Sequence, residues 1–403
     1  MKRVLFFLSV LVLVNFAQHK KEDVNFLENL LRENEKYFPL VIGNPTKYRV
    51  QIIYTKIDKT KSGAVKLSSY KYRLDARKYF YPASTVKLPA ALLTLEKLNQ
   101  LSIKGLTKET PLRIDSAYSG QTKVEYDSSS QNKLPSLGNY IKKIFLVSDN
   151  DAFNRLYEFL GQQAINEKLW RKEYLNTLIN HRLNGGITRE ENRFTNPFAF
   201  CIKDKVIYEQ PLQFNHAQYQ NDVEDLLQGK GVVEGDSVHA HPKDFTYSNY
   251  FALEDQHEML KSIFFPQTVA SEKKFNLTKD DLTFLKKYMS MLPRESEFTE
   301  YHDYRHYFDG CVKFFLYGDT KDTLPNYLRI YNKAGMAYGY LIDNAYIVDS
   351  KNKIEFLLSA VIYVNEDGIF NDDKYEYDEI GLPFLANLGR VIYEYELERK
   401  SRK

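Results

Sequence analysis

The heptapeptide YPASTVK, residues 81–87, is the part of the chain on which the prediction of its fold depends. Pro82 and Ser84 suit the start of a helix, and residues 88–98 continue it with apolar side chains. Positions three apart share a helix face, so the Lys87 amine is predicted to lie beside the Ser84 hydroxyl. A base that takes the hydroxyl proton makes serine a nucleophile, and a buried lysine with a lowered pKa can be that base. The alternative is a capping serine and a solvated lysine.

A second motif, SDN at residues 148–150, directly follows the apolar run 144–147. All three residue types cap helices well, so the simpler interpretation is a helix start. The more specific interpretation is that the Ser148 hydroxyl relays a proton and that the Asn150 amide holds a substrate amide. The pattern alone leaves both open.

A third motif, KAG at residues 333–335, ends an apolar strand. Lys333 can attract a carboxylate, and Gly335 lets a substrate approach the strand edge closely. The alternative is an ordinary strand end without a function.

The order of these motifs is that of serine β-lactamases and penicillin-binding proteins. With the hairpin before the first motif and the stretch KAGMAYGYLID at 333–343, the chain resembles the class A β-lactamase-like serine hydrolases. The resemblance covers about residues 22–400, with the insertion at about 198–248 outside it.

The resemblance implies a role for each matching residue. Ser84 would be the acylated nucleophile and Lys87 its base, while Ser148 would pass the proton to the leaving nitrogen. The backbone N–H groups of Ser84 and Met336 would form the oxyanion hole. The remaining matches concern substrate binding. Asn150 would contact the substrate amide, Lys333 would bind the substrate carboxylate, and Gly335 would let the substrate approach the strand edge.

Two departures from the family pattern bear on function. Ala334 stands where a hydroxyl residue is usual, which removes one hydrogen bond to the substrate carboxylate, worth roughly 1.5–3 kcal/mol. The loop glutamate of an E-x-x-L-N pattern, which activates the deacylating water in class A enzymes, is absent from residues 181–193. Glu190 and Glu191 are the candidate replacements on that loop. The plainer interpretation is a solvated acidic pair between two arginines.

Strand-like runs stand at both ends of the chain, at 49–57, 65–74, 327–333, 340–348 and 354–364. We therefore predict an α/β (α+β) fold with one antiparallel sheet from both chain ends, flanked by the terminal helices. This part would take in about residues 22–83 and 326–403. A mainly helical part would be inserted at about 84–325, with a hairpin at 198–208.

The first 17 residues have the pattern of a secretory signal peptide. Lys2 and Arg3 precede the apolar run 4–14, which is about half the length needed to span a bilayer, and Ala17 offers a cleavage site. We predict an exported protein of bacterial type, periplasmic or secreted, with 18–403 as the hydrolase domain. We expect no membrane span after signal cleavage, and a monomer.

Composition excludes several other classes of function. The chain has 403 residues, 43% of them hydrophobic, so it can build a large core. Its 56 basic and 53 acidic residues leave a formal charge of +3, which argues against a nucleic-acid partner. We predict no cofactor and no metal, because the candidate ligand groups are incomplete. These groups are His239 and His241 near Glu234 and Asp236, His302 with His306, and the two cysteines Cys201 and Cys311.

The sequence thus predicts a serine hydrolase that acts through an acyl-enzyme on Ser84. Its substrate would be a small-molecule β-lactam or a related D-amino-acid peptide amide of peptidoglycan. The alternative is a penicillin-binding or wall-peptide-binding protein with little or no turnover, which Ala334 and the missing glutamate favour.

Overall fold

The computed structural model describes residues 25–118, 120–183, 186–203 and 205–402. The predicted signal peptide, residues 1–17, lies outside the described residues. The first described elements are α1 (Phe26–Glu33), β1 (Gln51–Lys59) and β2 (Val65–Tyr72), and a 3₁₀ turn at Ala83–Val86 leads into α2 (Lys87–Leu101). The predicted hairpin before the first motif is confirmed, since β1 and β2 pair in antiparallel register from Ile52–Tyr72 to Lys59–Val65.

The middle of the chain alternates helices with short strands. Its first half contains β3 (Leu112–Ile114), α3 (Leu137–Leu146), α4 (Asn150–Leu160), α5 (Gln162–Arg171) and β4 (Thr177–Leu178). Its second half contains β5 (Phe198–Ile202), β6 (Lys205–Gln210), β7 (Leu227–Gln228), β8 (Gly231–Glu234), β9 (Ser237–His239), β10 (Lys243–Asp244), β11 (Tyr250–Phe251), α6 (Leu253–Phe264) and α7 (Lys279–Ser290).

The last part of the chain returns to the sheet. It contains the helical turn α8 (Phe314–Tyr317), the strands β12 (Leu328–Asn332), β13 (Gly335–Ala337), β14 (Tyr340–Asp349), β15 (Ile354–Tyr363) and β16 (Ile369–Phe370), and the helix α9 (Leu382–Ser401). The main sheet has the order β12–β14–β15–β1–β2, with β13 also paired to β14. Every pair in it is antiparallel, so the predicted sheet built from both chain ends is confirmed.

Both faces of this sheet are covered, which explains why β14 and β15 are buried along nearly their whole length. On one face, Leu27 of α1 and Leu388 of α9 share a core with Ile52 of β1 and Leu358 of β15. The prediction that the terminal helices cover one face of the sheet is therefore confirmed. On the other face, α6 packs on β1, β14 and β15.

Helix α2 runs through the middle of the helical part and carries the first motif at its start. Eleven of its fifteen residues are buried, and they include leucines on every side of the helix. A helix that is apolar all round belongs in an interior, and here α3 and α4 enclose it. This burial holds the N-terminus of α2, and with it Lys87, in a fixed position.

Residues 198–248 contact both the helical part and the C-terminal part of the chain. The predicted hairpin at 198–208 is present as β5 and β6, and β5 also pairs with β3. Phe198 and Phe200 are buried in the core of the helical part. Further along, β8 pairs with β16, which lies just before α9. Among the described residues, no helix is both long and apolar enough to cross a membrane.

Candidate active site

The first motif places its serine in the 3₁₀ turn and its lysine at the first position of α2. Lys87 Nζ lies 2.8 Å from Ser84 Oγ, so the predicted pair is confirmed. The alternative of a capping serine and a solvated lysine is wrong, because Ser84 caps neither helix and Lys87 is 0% exposed. Ala83, just before the serine, has a left-handed φ of 49°. Such backbone strain in a residue with a side chain is concentrated at functional sites.

The second motif surrounds the same lysine. Lys87 Nζ donates to the carbonyl oxygen of Ser148 at 2.6 Å and to Asn150 Oδ1 at 2.6 Å, and Ser148 Oγ lies 3.1 Å away. Of the three motif residues only Asp149 caps α4, by accepting the N–H of Ala152 at 2.9 Å. Ser148 is itself left-handed, with a φ of 57°, which turns its carbonyl and its hydroxyl toward the lysine.

The electrostatic setting favours the neutral amine of Lys87. Burial lowers its pKa well below the usual range, and the positive charge of Lys333 adds to the effect. Asp149 opposes the shift only in part. The oxygens around Lys87 Nζ belong to hydroxyl, carbonyl and amide groups, which stabilise an ammonium less than a carboxylate does.

The third motif completes the cluster. Lys333 follows β12 directly, is 3% exposed, and places Nζ 3.0 Å from Ser148 Oγ and 2.7 Å from the carbonyl oxygen of Ala334. Burial lowers the pKa of Lys333 to about 7, although Asp343 counters the shift. Ser148 Oγ therefore lies between two lysine amines, at 3.1 and 3.0 Å.

Gly335 brings the edge of β13 against the turn that carries the nucleophile. A Cβ added at Gly335 would lie 2.9 Å from both the carbonyl oxygen of Pro82 and the backbone nitrogen of Ser84. The sequence suggested that this glycine makes room for a substrate; in the structure it makes room for the backbone of the nucleophile turn. The next residue, Met336, is 46% exposed. The strand that contains Met336 thus runs beside the turn that carries Ser84.

Sequence reasoning missed a third buried lysine behind the site. Lys313 is 1% exposed and donates to the carbonyl oxygen of Met289 and to Asn332 Oδ1, both at 2.7 Å. Asn332 Nδ2 in turn donates to Asp343 Oδ1 at 2.8 Å. Burial lowers the pKa of Lys313 and raises that of Asp343. This network holds the end of β12 from which Lys333 projects. The available signal was a single lysine in the apolar run 312–317.

The loop on which a deacylating base is expected is anchored on α4. Asn154, one helical turn after Asn150 on α4, accepts the backbone N–H of Leu183 at 2.8 Å. Leu183 is buried in the core of the helical part. The candidate bases are occupied elsewhere, because Glu190 pairs with Arg193 at 2.6 Å and Glu191 accepts the N–H of Thr188 at 2.7 Å. Within the described residues, neither carboxylate contacts Ser84 or Lys87.

Among the histidines and cysteines singled out in the sequence, Cys311 is near enough to Lys333 for their charges to affect each other's pKa. In the part of the chain that the structure describes, no three His, Cys, Asp or Glu side chains form a group that could hold a metal ion. The ring centroids of His239 and His241 are 6.2 Å apart and the rings are tilted by 42°, while His302 Nε2 bonds to the carbonyl oxygen of Ser296. The two cysteines, Cys201 and Cys311, are free thiols.

The antiparallel sheet with its inserted helices and the Ser–Lys–Ser–Lys cluster are the features on which the resemblance to β-lactamase-like serine hydrolases rests. The model of the β-lactamase enzyme family matches residues 46–230, which include the first two motifs. The resemblance seen in the sequence is therefore confirmed.

Several solved structures are similar over most of this chain. The β-lactamase from Burkholderia phymatum covers 91% of this chain and 98% of its own at 13% identity, with a TM-score of 0.48. The class A β-lactamase from Clostridium kluyveri DSM 555 covers 91% of this chain and 98% of its own at 15% identity, with a TM-score of 0.47. PBP-A covers 92% of this chain and 96% of its own at 15% identity, with a TM-score of 0.48. No curated protein sequence matches this chain.

Proposed function

We propose that this chain is an exported serine hydrolase that forms an acyl-enzyme on Ser84 with β-lactams or with related D-amino-acid peptide amides. The observation that carries the proposal is the Lys87 amine, buried, short of a carboxylate partner and 2.8 Å from the Ser84 hydroxyl. A neutral amine in that place can take the hydroxyl proton, which is the step that serine needs. Export rests on the sequence of residues 1–17.

Acylation would proceed as follows. Ser84 Oγ gives its proton to Lys87 Nζ and attacks the carbonyl carbon, and the backbone N–H groups of Ser84 and Met336 hold the resulting oxyanion. The carbon–nitrogen bond then breaks. Lys87 returns the proton through Ser148 Oγ to the leaving nitrogen, a path supported by the 3.1 Å separation of Nζ and Oγ. The product is an ester of Ser84 and a free amine.

Substrate binding would use the two remaining polar groups of the cluster. Lys333 would hold the substrate carboxylate, and the side chain of Asn150 would contact the substrate amide. Because Ala334 offers no hydroxyl, the carboxylate would keep one hydrogen bond fewer than in the family pattern, and β-lactams would bind more weakly.

The second candidate function is a penicillin-binding or wall-peptide-binding protein with little or no turnover. Two observations favour slow release of the acyl group: Leu183, not a carboxylate, lies at the contact with Asn154, and Glu191 is held by the Thr188 N–H. Both functions share the acyl-enzyme and differ only in how fast water removes the acyl group.

One experiment tests the shared step. The purified protein is incubated with a chromogenic cephalosporin while its intact mass and the absorbance are followed. We expect a mass increase of one acyl group in the wild type and none in Ser84→Ala. Ser62→Ala, in the exposed turn after β1, is the matched control and should be acylated like the wild type. Labelling of Ser84→Ala at the wild-type rate would contradict the proposal.

The absorbance separates the two functions. Continuous hydrolysis of the cephalosporin identifies a lactamase, whereas a single stoichiometric burst with a lasting adduct identifies the penicillin-binding type. A wild-type protein that gives neither signal, and is not acylated by a D-alanyl-D-alanine peptide ester either, would contradict both.

A further inference from the structure

A half-buried lysine, Lys243, lies against aromatic residues near the nucleophile turn. It lies on β10 and its Nζ is 4.5 Å from the ring centroid of Tyr338 and 5.6 Å from that of Phe245. The Tyr338 ring packs edge-on against Tyr81 at 4.9 Å. Tyr81 precedes Ser84 by three residues. The segment 198–248 thus brings a cation to the aromatic group that flanks the nucleophile turn.

The charge of Lys243 is not neutralised by a neighbour. Among the ion pairs of the described residues there is none to Lys243, and Glu234 is near enough only to counter its pKa shift in part. The adjacent carboxylate of Asp244 is used by Thr246, whose N–H and hydroxyl it accepts at 2.8 and 2.5 Å. On the other side is His181, the pKa of which burial and the Lys243 charge both lower.

A lysine in this setting has lost water without gaining an anion. Burial lowers the pKa of Lys243, as expected for an ammonium that is partly desolvated. The two aromatic rings compensate only modestly, since a cation–π contact is worth about 0.5–2 kcal/mol. An anionic group that entered from solvent could therefore form an ion pair with the Lys243 ammonium.

The course of β13 determines which part of a substrate would reach this lysine. Lys333 stands before the strand, Met336 within it and Tyr338 just after it. Tyr338 lies in the turn that follows β13, with a left-handed φ of 54°, at the end of the strand away from Lys333. A substrate with its carboxylate at Lys333 and its reacting carbonyl at Met336 therefore directs its acyl substituent toward Tyr338 and Lys243.

We propose that Lys243 and Tyr338 form a subsite for a carboxylate carried on the acyl side of the substrate. The favoured substrates are acyl amides that bear a free carboxylate a few bonds from the reacting centre, such as a peptide with an acidic side chain. The subsite rests on the proposed acylation of Ser84. It also gives the segment 198–248 a function, which is to supply the specificity-determining cation.

The test uses two penicillins with the same nucleus, one carrying a glutaryl group and the other its uncharged amide counterpart. Second-order rate constants for acylation of Ser84 are measured by intact mass, and the readout is the ratio of the two within each protein. We expect the glutaryl compound to react at least tenfold faster with the wild type. The ratio should fall to near one in Lys243→Met and be kept in Lys243→Arg.

Lys205→Met, an exposed lysine on β6, is the matched control and should keep the wild-type ratio. Added salt should lower the wild-type ratio, because a partly exposed ion pair is screened. A wild-type ratio near one, or a preference that persists in Lys243→Met, would overturn the subsite while leaving the acyl-enzyme intact. If neither penicillin acylates the wild type, the proposed acyl-enzyme itself fails and the subsite falls with it.

Discussion

Two lysine amines share one serine hydroxyl in this site. Lys87 Nζ and Lys333 Nζ both lie close to Ser148 Oγ, so they are within about 6 Å of each other. Two ammonium groups that close, both out of water, repel each other, and each favours the neutral form of the other. The proposed acylation of Ser84 requires the two lysines in opposite forms. Lys87 has to be neutral to accept a proton, and Lys333 has to be cationic to hold a carboxylate.

This requirement predicts a bell-shaped pH profile for acylation by penicillins. Because the pKa of Lys333 is lowered to about 7, its cationic form is lost as the pH rises through 7, and the second-order rate constant should fall on that side. On the acid side the rate constant should fall as Lys87 becomes protonated. We expect Lys333→Arg to flatten the alkaline limb, because a guanidinium stays protonated. Stopped-flow acylation between pH 5 and 9 measures both limbs.

An alkaline limb that is unchanged in Lys333→Arg would assign the loss above pH 7 to another group. The comparison is made on the rate constant for the free protein and not on turnover, since a bound carboxylate raises the pKa of the lysine that holds it.

At the scale of elements, the site is a junction between the turn Ala83–Val86, the start of α4 and the edge of β13. The turn and the strand meet through the backbone at Gly335, where no side chain fits. A backbone contact of this kind tolerates little displacement, because a shift of either backbone requires the whole turn or the whole strand to move.

Gly335→Ala is therefore expected to disturb the proposed oxyanion hole directly. The added Cβ would lie 2.9 Å from Ser84 N and Pro82 O, so the turn and the strand have to separate. We expect acylation to slow by roughly 100-fold, as for other displacements of about 1 Å in a catalytic geometry. The free energy of unfolding should fall by about 1–3 kcal/mol. The measurements are acylation kinetics and urea unfolding.

Gly43→Ala is the control for this substitution, since nothing lies within 4 Å of the added Cβ. It should leave acylation at the wild-type rate. Wild-type acylation by Gly335→Ala would show that the strand edge and the turn are not tightly coupled.

A second element contact makes stability depend on pH. His257 on α6 is 1% exposed and lies between the two central strands, with Nε2 2.7 Å from Thr55 Oγ1 and Nδ1 2.8 Å from Ser359 Oγ. Burial lowers its pKa well below the usual value, and Lys261 and Lys71 add to the shift. Its ring is neutral in the folded protein.

The sign of the pH effect follows from this shift. Below about pH 6.5 the unfolded chain binds a proton at His257 and the folded protein does not, so stability falls by up to about 1.4 kcal/mol per pH unit; above that pH His257 contributes no slope. We expect His257→Gln to show a smaller loss between pH 6.5 and 5 in urea unfolding. His306→Gln, with a side chain that is 73% exposed, should keep the wild-type slope. Equal slopes in the wild type and His257→Gln would contradict the assignment.

At the scale of the whole molecule, the helical part supplies Ser84, Lys87 and Ser148, and the main sheet supplies Lys333. The loop after β4 lies beside α4. This loop is held by Arg182, which pairs with Glu158 of α4 in the interior at 3.0 Å, and by the contact of Leu183 with Asn154. Among the described residues of this loop, the contacts place Arg182 and Leu183, and not a carboxylate, against α4.

We therefore expect deacylation to be slower than acylation for penicillins. A general base next to the water typically accelerates such a step by roughly 10²–10⁴-fold, and its loss should leave an adduct that lasts minutes or longer. A pre-steady-state experiment should show a burst of one equivalent followed by a slow phase. Glu190→Gln and Glu191→Gln should change neither phase. A fast linear phase without a burst, lost in one of these variants, would show that the loop supplies the base.

The sequence by itself determined the fold class and the order of the motifs. Alternation and apolar runs predicted the hairpin β1–β2 and the strands β14 and β15, because their period records which side chains are buried. The i, i+3 spacing of Ser84 and Lys87 predicted their contact, since a helical turn is a local structure.

Other features depended on residues far apart in the chain. The sequence offered no way to see that Lys313 supports Lys333, that Gly335 makes room for the Ser84 turn, or that Lys243 borders Tyr338. The pKa values of the lysines could not be predicted from the sequence either, because desolvation and charge repulsion depend on which side chains the fold places together. The spacing along the chain determined the candidate nucleophile and its neighbouring lysine, and only tertiary packing decided the electrostatic environment around them.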